Sequence, residues 1–134
     1  MPAFLDTNIL IHHLTGEDKE KAERCWRLLH SAEQRQVELV TSDLVIAEVV
    51  WVLQTRSALS RQRIRDLLLP IVRLPGLRLA NKAIWPRIFD LYCDRRVDLI
   101  DAYNAVWMDR VGVSQIYSYD TDFDRIEGIE RIAP

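Results

Sequence analysis

The chain has 134 residues, 49% of them hydrophobic, and a formal net charge of −2. This length and hydrophobic content predict one compact domain over residues 1–134 with a full core. The net charge argues against a strongly basic nucleic-acid binder, and no uncharged apolar stretch reaches the ~18 residues that a membrane span needs. The N-terminus has neither the basic nor the long apolar region of a signal peptide, so we expect a cytoplasmic protein.

The charged side chains are distributed unevenly along the sequence. Residues 1–55 carry a net charge of −4, residues 56–96 carry +7, and residues 97–134 carry −5. Of the 18 basic residues 15 are Arg, the side chain that suits bidentate contacts with phosphate. Solvated helix surfaces and an acidic site beside an anion-binding rim both produce such a distribution, and the sequence leaves both open.

The first predicted element is a short strand that ends on an acid. An apolar run from about residue 3 stops at Asp6, and Thr7 and Asn8 carry side-chain oxygens that can cap a helix opening at Ile9. In open parallel α/β sheets, ligands gather just beyond the carboxyl ends of the strands. Asp6 is therefore either a site residue or the cap of a turn.

Short strands and helices then alternate. Apolar spacing predicts helices over 18–35, 43–55 and 99–111, and short strands over 37–40, 77–79, 115–118 and 129–132. Ser60 should open a further helix that Pro70 kinks or ends, Asn81 should cap another, and Asp98 should cap the helix over 99–111. The alternation implies a short, mostly parallel central sheet with helices on both faces.

Glu48 is the carboxylate that fits its surroundings least well. The segment 44–53 contains no other charged residue, and the next charge is Arg56. An unpaired carboxylate buried there would cost several kcal/mol, so Glu48 should be neutralised, paired, or directed into a cleft that holds a cation. The alternative is an exposed position at the one wet edge of a largely buried helix.

Two further groups of acids stand where predicted elements begin or end. Asp101 lies in the first turn after Asp98, where the macrodipole favours acids in any case, and Asn104 projects from the same face one turn later. Asp120 follows a predicted strand as Asp6 follows the first one. Asp122 and Asp124 follow, and three interpretations stay open for them: acids at the start of a helix, groups around a site, or residues of a solvated turn.

Acids thus recur after the strands and in the helices that follow them. Carboxylates that share a cleft repel one another and raise one another's pKa unless a divalent cation is bound between them. Mg²⁺ or Mn²⁺ prefers oxygen ligands and suits this residue set better than zinc does. The chemistry that such ions serve is hydrolysis of a phosphodiester, because they activate water and stabilise the leaving oxygen.

Other reactive side chains give weaker signals. Cys25 and Cys93 have no metal-site spacing and are expected to be reduced core thiols. His12 and His13 project about 100° apart on a helix and cannot converge on one phosphate, so with His30 they are interpreted as structural or surface residues. Four tryptophans fall at helical core spacing and are expected in the core or in dimer contacts: Trp26, Trp51, Trp85 and Trp107.

Four short motifs, taken together and in order, resemble the PIN domain, a metal-dependent ribonuclease fold. They are Leu5-Asp6-Thr7-Asn8, Ala47-Glu48-Val49, Ile100-Asp101-Ala102 and Tyr119-Asp120-Thr121-Asp122-Phe123. The resemblance covers essentially the whole chain, and its layout is similar to the toxin subunits of VapBC-type toxin–antitoxin pairs. It implies that the family's acidic quartet corresponds to Asp6, Glu48, Asp101 and Asp120. Its accessory acid corresponds to Asp122, and the polar residues near its first acid correspond to Thr7 and Asn8. Ser118 stands where the family often has Thr, and either hydroxyl can bind a carboxylate or water.

The resemblance implies a Mg²⁺-dependent endoribonuclease, with Mn²⁺ as a possible substitute, that acts on single-stranded or loop RNA. It also implies a homodimer and a cognate antitoxin whose tail places a basic residue in the acidic pocket. Arg residues of 56–96 would hold the RNA backbone. Two alternatives stay open: a metal-binding or protein-binding domain without turnover, and a DNA-directed nuclease of related fold.

Overall fold

Helices and short parallel strands alternate along the chain, as the apolar spacing predicts. The computed structural model describes residues 1–134. Internal contacts divide them into two compact units, Met1–Lys82 and Ala83–Pro134. None of the helices is long and apolar enough to cross a bilayer. The assignment of residues 1–134 to one domain stays a prediction.

The N-terminal unit contains three strands and four helices. In chain order they are β1 (Ala3–Phe4), α1 (Thr7–Thr15), α2 (Lys19–Glu33), β2 (Leu39–Val40), α3 (Asp43–Thr55), α4 (Arg61–Val72) and β3 (Leu77–Arg78). The strands lie in the order β1-β2-β3 and pair in parallel, with Ala3 opposite Leu39 and Leu39 opposite Leu77. α1 packs against α2 and α3, and α3 packs against α4.

The core of this unit is built from the faces that these helices turn inward. Its fully buried side chains are aliphatic and come mainly from α1, α3 and α4: Leu10, Ile46, Val49, Leu53, Ile64, Leu68 and Val72. Gly76 allows β3 to approach the end of α2, because its N–H donates to the carbonyl oxygen of Ala32 at 2.9 Å. A Cβ at Gly76 would lie 2.4 Å from that oxygen and 2.6 Å from the carbonyl oxygen of Val37. Gly76 is therefore a point of close backbone packing, where a side chain has no room.

The prediction that Ser60 opens a helix is confirmed, and Ser42 caps α3. The hydroxyl of Ser42 accepts from the N–H of Val45 at 3.4 Å, and the hydroxyl of Ser60 caps α4 in the same way. Pro70 does not end its helix, because α4 continues to Val72, so that part of the prediction is wrong. Pro70 lies in the last turn, where it removes only one helical hydrogen bond, and burial of Ile71 and Val72 offsets that loss.

The C-terminal unit contains two helices and two strands. A 3₁₀ helix, Lys82–Ile84, begins at the last residue of the N-terminal unit and is followed by α5 (Trp85–Asp94), α6 (Leu99–Arg110), β4 (Gln115–Tyr117), a second 3₁₀ helix (Thr121–Arg125) and β5 (Glu130–Ile132). β4 and β5 pair in parallel, with Gln115 opposite Glu130. The buried ring of Trp85 lies 5.6 Å from that of Phe89 and 5.8 Å from that of Tyr103, centroid to centroid. The predicted parallel α/β architecture is confirmed, and its strands form two hydrogen-bonded groups.

Asn81 is not the N-cap of α5, contrary to the prediction, because Ile84 occupies that position. Its side-chain amide donates to Oδ2 of Asp43 at 2.7 Å, which ties the residue before the 3₁₀ helix to the start of α3. α5 begins only at Trp85, with Pro86 in its first turn, where the missing N–H costs least. A tertiary hydrogen bond thus replaces the local cap that the sequence indicates.

Candidate metal centre

Asp120 lies in a turn that follows β4 and is shaped by its own side chain. The N–H of Asp120 donates to the hydroxyl of Ser118 at 3.0 Å, and Oδ1 of Asp120 accepts from the N–H of Asp122 at 2.9 Å. Such side-chain to backbone bonds mimic a backbone turn and fix the direction of the chain. The hydroxyl of Ser118 therefore orients the backbone at Asp120, and the carboxylate of Asp120 orients Asp122.

Three carboxylates of the C-terminal unit come together. Asp101 in the first turn of α6, Asp120 after β4, and Asp122 in the second 3₁₀ helix each offer an oxygen, and the three oxygens lie within 4.8 Å of one another. These three residues are called the acid cluster below. Hard carboxylate oxygens at this spacing fit a Mg²⁺ or Mn²⁺ ion, which would complete its coordination with water.

The electrostatics of the acid cluster point the same way. Partial burial raises the pKa of Asp101 above its ordinary value, and the negative charges of Asp120, Asp98 and Asp122 raise it further. The carboxyl group of Asp101 thus carries its charge at a cost in the folded protein. A bound divalent cation would remove that cost, so the donor set fits the ion by charge as well as by chemistry.

Two arginines, which the sequence analysis did not identify, border the acid cluster. Arg125 forms an ion pair with Asp122 at 2.6 Å. Arg131 on β5 donates from Nε and Nη2 to the two carboxylate oxygens of Asp124, at 3.0 and 3.2 Å. The spacing of Arg125 three residues after Asp122 could have indicated the first pair, whereas no local pattern indicates the second. Asp124 is thus engaged by Arg131 and lies outside the acid cluster.

Asp98 stands at the N-cap position of α6 as predicted, but its side chain makes no capping hydrogen bond. The assignment of Asp98 to a cap by its carboxylate is therefore wrong. Its charge instead acts on Asp101, whose pKa it helps to raise. Asn104 is exposed on α6 one turn after Asp101, and its proposed part in orienting Asp101 or water stays a prediction.

Asp6 occupies the N-cap position of α1 in the N-terminal unit, with an exposed side chain that makes no capping hydrogen bond. The helix begins at Thr7, two residues earlier than predicted, and Thr7 is buried while Asn8 is exposed. Thr41 secures the backbone just before Asp6, because its buried hydroxyl donates to the carbonyl oxygen of Leu5 at 2.9 Å. The carboxylate of Asp6 is thus held beyond the end of β1 without being used to cap the helix.

Glu48 is exposed on α3, which confirms the alternative of an exposed position. Its carboxylate is therefore not buried and does not need a partner on that ground. Helical geometry places Leu44 and Trp51 on the same face, and these are also exposed, by 78% and 58%. The apolar run around Glu48 reflects this uncovered face as well as the core-facing side of α3. α1 packs against α3, so Asp6 and Glu48 belong to neighbouring helices of one unit.

The remaining predictions have mixed outcomes. Cys25 and Cys93 are buried and form no disulfide, as expected of core thiols. Of the four tryptophans only Trp85 lies in the core, whereas Trp26, Trp51 and Trp107 are about half exposed, which contradicts the core interpretation for these three. His30 is exposed, and its ring stacks on that of Trp26 with the centroids 4.9 Å apart, which agrees with its interpretation as a surface residue. Burial lowers the pKa of His13.

Comparison with known proteins identifies the family. A comparison with curated proteins gives no significant match. The family model described as "PIN domain" matches residues 3–129, nearly the whole chain, and spans Asp6, Glu48 and all three residues of the acid cluster. Proteins with this domain are generally metal-dependent nucleases. Since the match covers far more than half of the sequence, the chain belongs to the PIN domain family.

Proposed function

We propose that this protein is a Mg²⁺-dependent endoribonuclease, able to use Mn²⁺, that hydrolyses phosphodiester bonds in single-stranded or loop RNA. The observation that carries the proposal is the acid cluster in a chain of the PIN domain family. Three carboxylates within 4.8 Å of one another are electrostatically costly without a cation. A bound metal ion would remove this cost.

Each acid has a role in this proposal. Asp101, Asp120 and Asp122 hold the ion, and Asp6 and Glu48 supply further carboxylates to the same reaction as metal ligands and acid–base groups. When bound, the ion lowers the pKa of the attacking water and stabilises the leaving oxygen. Four residues are accessory, orienting the acids or bound water: Thr7, Asn8, Asn104 and Ser118.

The ion pair of Arg131 with Asp124 supports the turn that carries Asp120 in the acid cluster. Arg131 also donates from Nη1 to the carbonyl oxygen of Ser118 at 3.3 Å. It therefore joins β5 to the turn that carries Asp120, and it neutralises Asp124 so that this acid adds no further repulsion. Arg131 is a positioning residue, because it acts through the turn and not on the substrate.

We further propose that the protein is the toxin of a toxin–antitoxin pair in the cytoplasm, that it forms a homodimer, and that a cognate antitoxin inhibits it. A basic side chain of the antitoxin would enter the acidic site and compete with metal or substrate for the carboxylates. The layout of the acidic motifs supports this assignment, because it is similar to that of VapBC-type toxins. The cheapest support would be a small reading frame that overlaps the upstream end of the gene.

The test is cleavage by purified protein from which any small co-purifying protein has been stripped. Matched RNA and DNA oligonucleotides are incubated with Mg²⁺, with Mn²⁺, and with EDTA. We expect cleavage of RNA with either metal, none with EDTA, and a loss of about 100-fold or more in Asp6→Asn and Asp101→Asn. Asp66→Asn changes an exposed acid of α4 outside the site and should cleave at the wild-type rate.

Contrary outcomes separate the alternatives. Cleavage of DNA in preference to RNA would identify a DNA-directed nuclease. Metal binding without cleavage of either oligonucleotide would identify a binding domain without turnover. Cleavage by Asp101→Asn at the wild-type rate would remove the acid cluster from the mechanism.

A further inference from the structure

A groove of about 540 Å³ opens in the C-terminal unit, away from the acid cluster. Its walls are α5, α6 and the turns at Gly112 and Gly128, and its apolar lining includes Leu91, Ala105 and Ile126. Both glycines have positive φ values, 77° and 85°, and a Cβ on either would meet no atom within 4 Å. The volume lies within the range of small-molecule sites, and we call this feature the α5–α6 groove.

The charged side chains of the groove are of two kinds. Arg87 of α5 and Asp109 of α6 form an ion pair at 2.5 Å and neutralise each other. Arg95, which caps the C-terminus of α5, and Glu127, beside Gly128, also line the groove, and neither makes an ion pair within the chain. The groove therefore offers one unengaged cation and one unengaged carboxylate above an apolar lining.

The groove is separate from the acid cluster within the same unit. Asp101 and Asp109 lie eight residues apart on α6, which corresponds to about 12 Å along the helix axis. The acid cluster follows the carboxyl end of β4, whereas Ser114 and Ile129 of the groove precede β4 and β5. A ligand in the groove would thus leave the acid cluster free.

We propose that the α5–α6 groove binds a ribonucleotide unit. The guanidinium of Arg95 binds the phosphate, for which its planar fork is suited. The carboxylate of Glu127 accepts hydrogen bonds from the ribose hydroxyls, as acidic residues do in dinucleotide sites. The base covers the apolar lining. A free nucleotide and a nucleotide of an RNA strand share this chemistry, and the second source rests on the proposed ribonuclease function.

The first test is binding in EDTA, which removes metal from the acid cluster. Adenosine monophosphate, its 2′-deoxy form and inorganic phosphate are titrated into the ¹⁵N-labelled protein, and the amide signals of Gly112 and Gly128 report on the groove. We expect saturable shifts with adenosine monophosphate and weaker binding of the deoxynucleotide. Arg95→Gln should weaken binding about tenfold or more, because a hydrogen bond to a charged group is lost. Glu127→Gln should remove the preference for the ribonucleotide.

Arg73→Gln is the matched control, since Arg73 caps the C-terminus of α4 as Arg95 caps that of α5. It should bind as the wild type does, and unfolding midpoints verify that all variants are folded. Equal binding by Arg95→Gln and wild type would overturn the proposal, as would the absence of saturable shifts at Gly112 and Gly128. Shifts confined to the residues of the acid cluster would overturn it too.

The second test identifies the source of the nucleotide. If an RNA strand occupies the groove, Arg95→Gln should raise KM for RNA cleavage severalfold with little change in kcat. If a free nucleotide occupies it, Arg95→Gln loses nucleotide binding while RNA cleavage is unchanged. The binding test in EDTA needs no cleavage, so failure of the ribonuclease proposal is distinguishable from failure of this one.

Discussion

Replacing Asp101 by Asn should stabilise the metal-free protein while removing its response to metal. In the acid cluster, carboxylate oxygens of Asp101, Asp120 and Asp122 lie within 4.8 Å of one another. Two unit charges at that distance repel by about 1 kcal/mol even in a water-like dielectric. Asp120 is such a neighbour, whereas the charge of Asp122 is already paired with Arg125, so Asp101→Asn should raise the free energy of unfolding by about 1 kcal/mol. For a chain of this size that corresponds to about 3–5 °C in the unfolding midpoint.

Metal should reverse this order of stability. An ion present at 100 times its dissociation constant adds about 2.7 kcal/mol to the wild-type free energy of unfolding. The variant lacks one of the three clustered carboxylates and should lose most of that increment. The wild type should therefore melt below Asp101→Asn in EDTA and above it in saturating Mg²⁺.

The assay is thermal unfolding by calorimetry, in EDTA and across a Mg²⁺ titration. Asp66→Asn, at an exposed position on α4, is the control, and its midpoint should differ little from that of the wild type in either condition. The reasoning would be refuted if Asp101→Asn melted at or below the wild-type midpoint in EDTA. An equal Mg²⁺ increment in wild type and variant would refute the assignment of Asp101 as a ligand.

Three further predictions concern pH and the backbone. The pKa of Asp101 is raised above its ordinary value of 3.8, so its protonated form favours the folded state below pH 3.8, and this contribution to stability is lost as the pH rises through the raised pKa. The advantage of Asp101→Asn in EDTA should therefore shrink toward zero below pH 3.8 in calorimetric scans. Thr41→Val leaves a buried carbonyl oxygen unpaired and should cost about 1–3 kcal/mol in urea unfolding, whereas Thr55→Val, which removes an exposed bond of the same kind, should cost under about 0.5 kcal/mol. Gly76→Ala forces a Cβ to within 2.4 Å of a backbone oxygen and should cost about 1–3 kcal/mol or prevent folding, and a urea midpoint equal to that of the wild type would contradict the close packing.

Local sequence signals located most of the elements. The helix predicted over 43–55 has those bounds in the structure, because Ser42 caps it and its apolar residues continue without a helix breaker. Local signals failed where tertiary contacts compete with them. Pro70 does not end α4, since the residues after it are buried, and Asn81 bonds to Asp43 while Ile84 is the N-cap of α5.

Apolar spacing was a poor guide to what covers each helix face. The surroundings of Glu48 suggested burial, yet Glu48, Leu44 and Trp51 are all exposed. Periodicity shows which residues share a face of a helix, but it carries no information on whether another element packs there. For the same reason Trp107 has core spacing and is nevertheless about half exposed.

By itself, the sequence determined the order of strands and helices and the positions of the acids near their ends, because both follow from residue-by-residue propensity and spacing. Only the tertiary structure decided that Asp122 joins Asp101 and Asp120, that Arg131 engages Asp124, and that the side chain of Asp98 leaves its helix uncapped. The physical reason is that these outcomes depend on distances between residues far apart along the chain, which are set by how the elements pack and not by any local pattern.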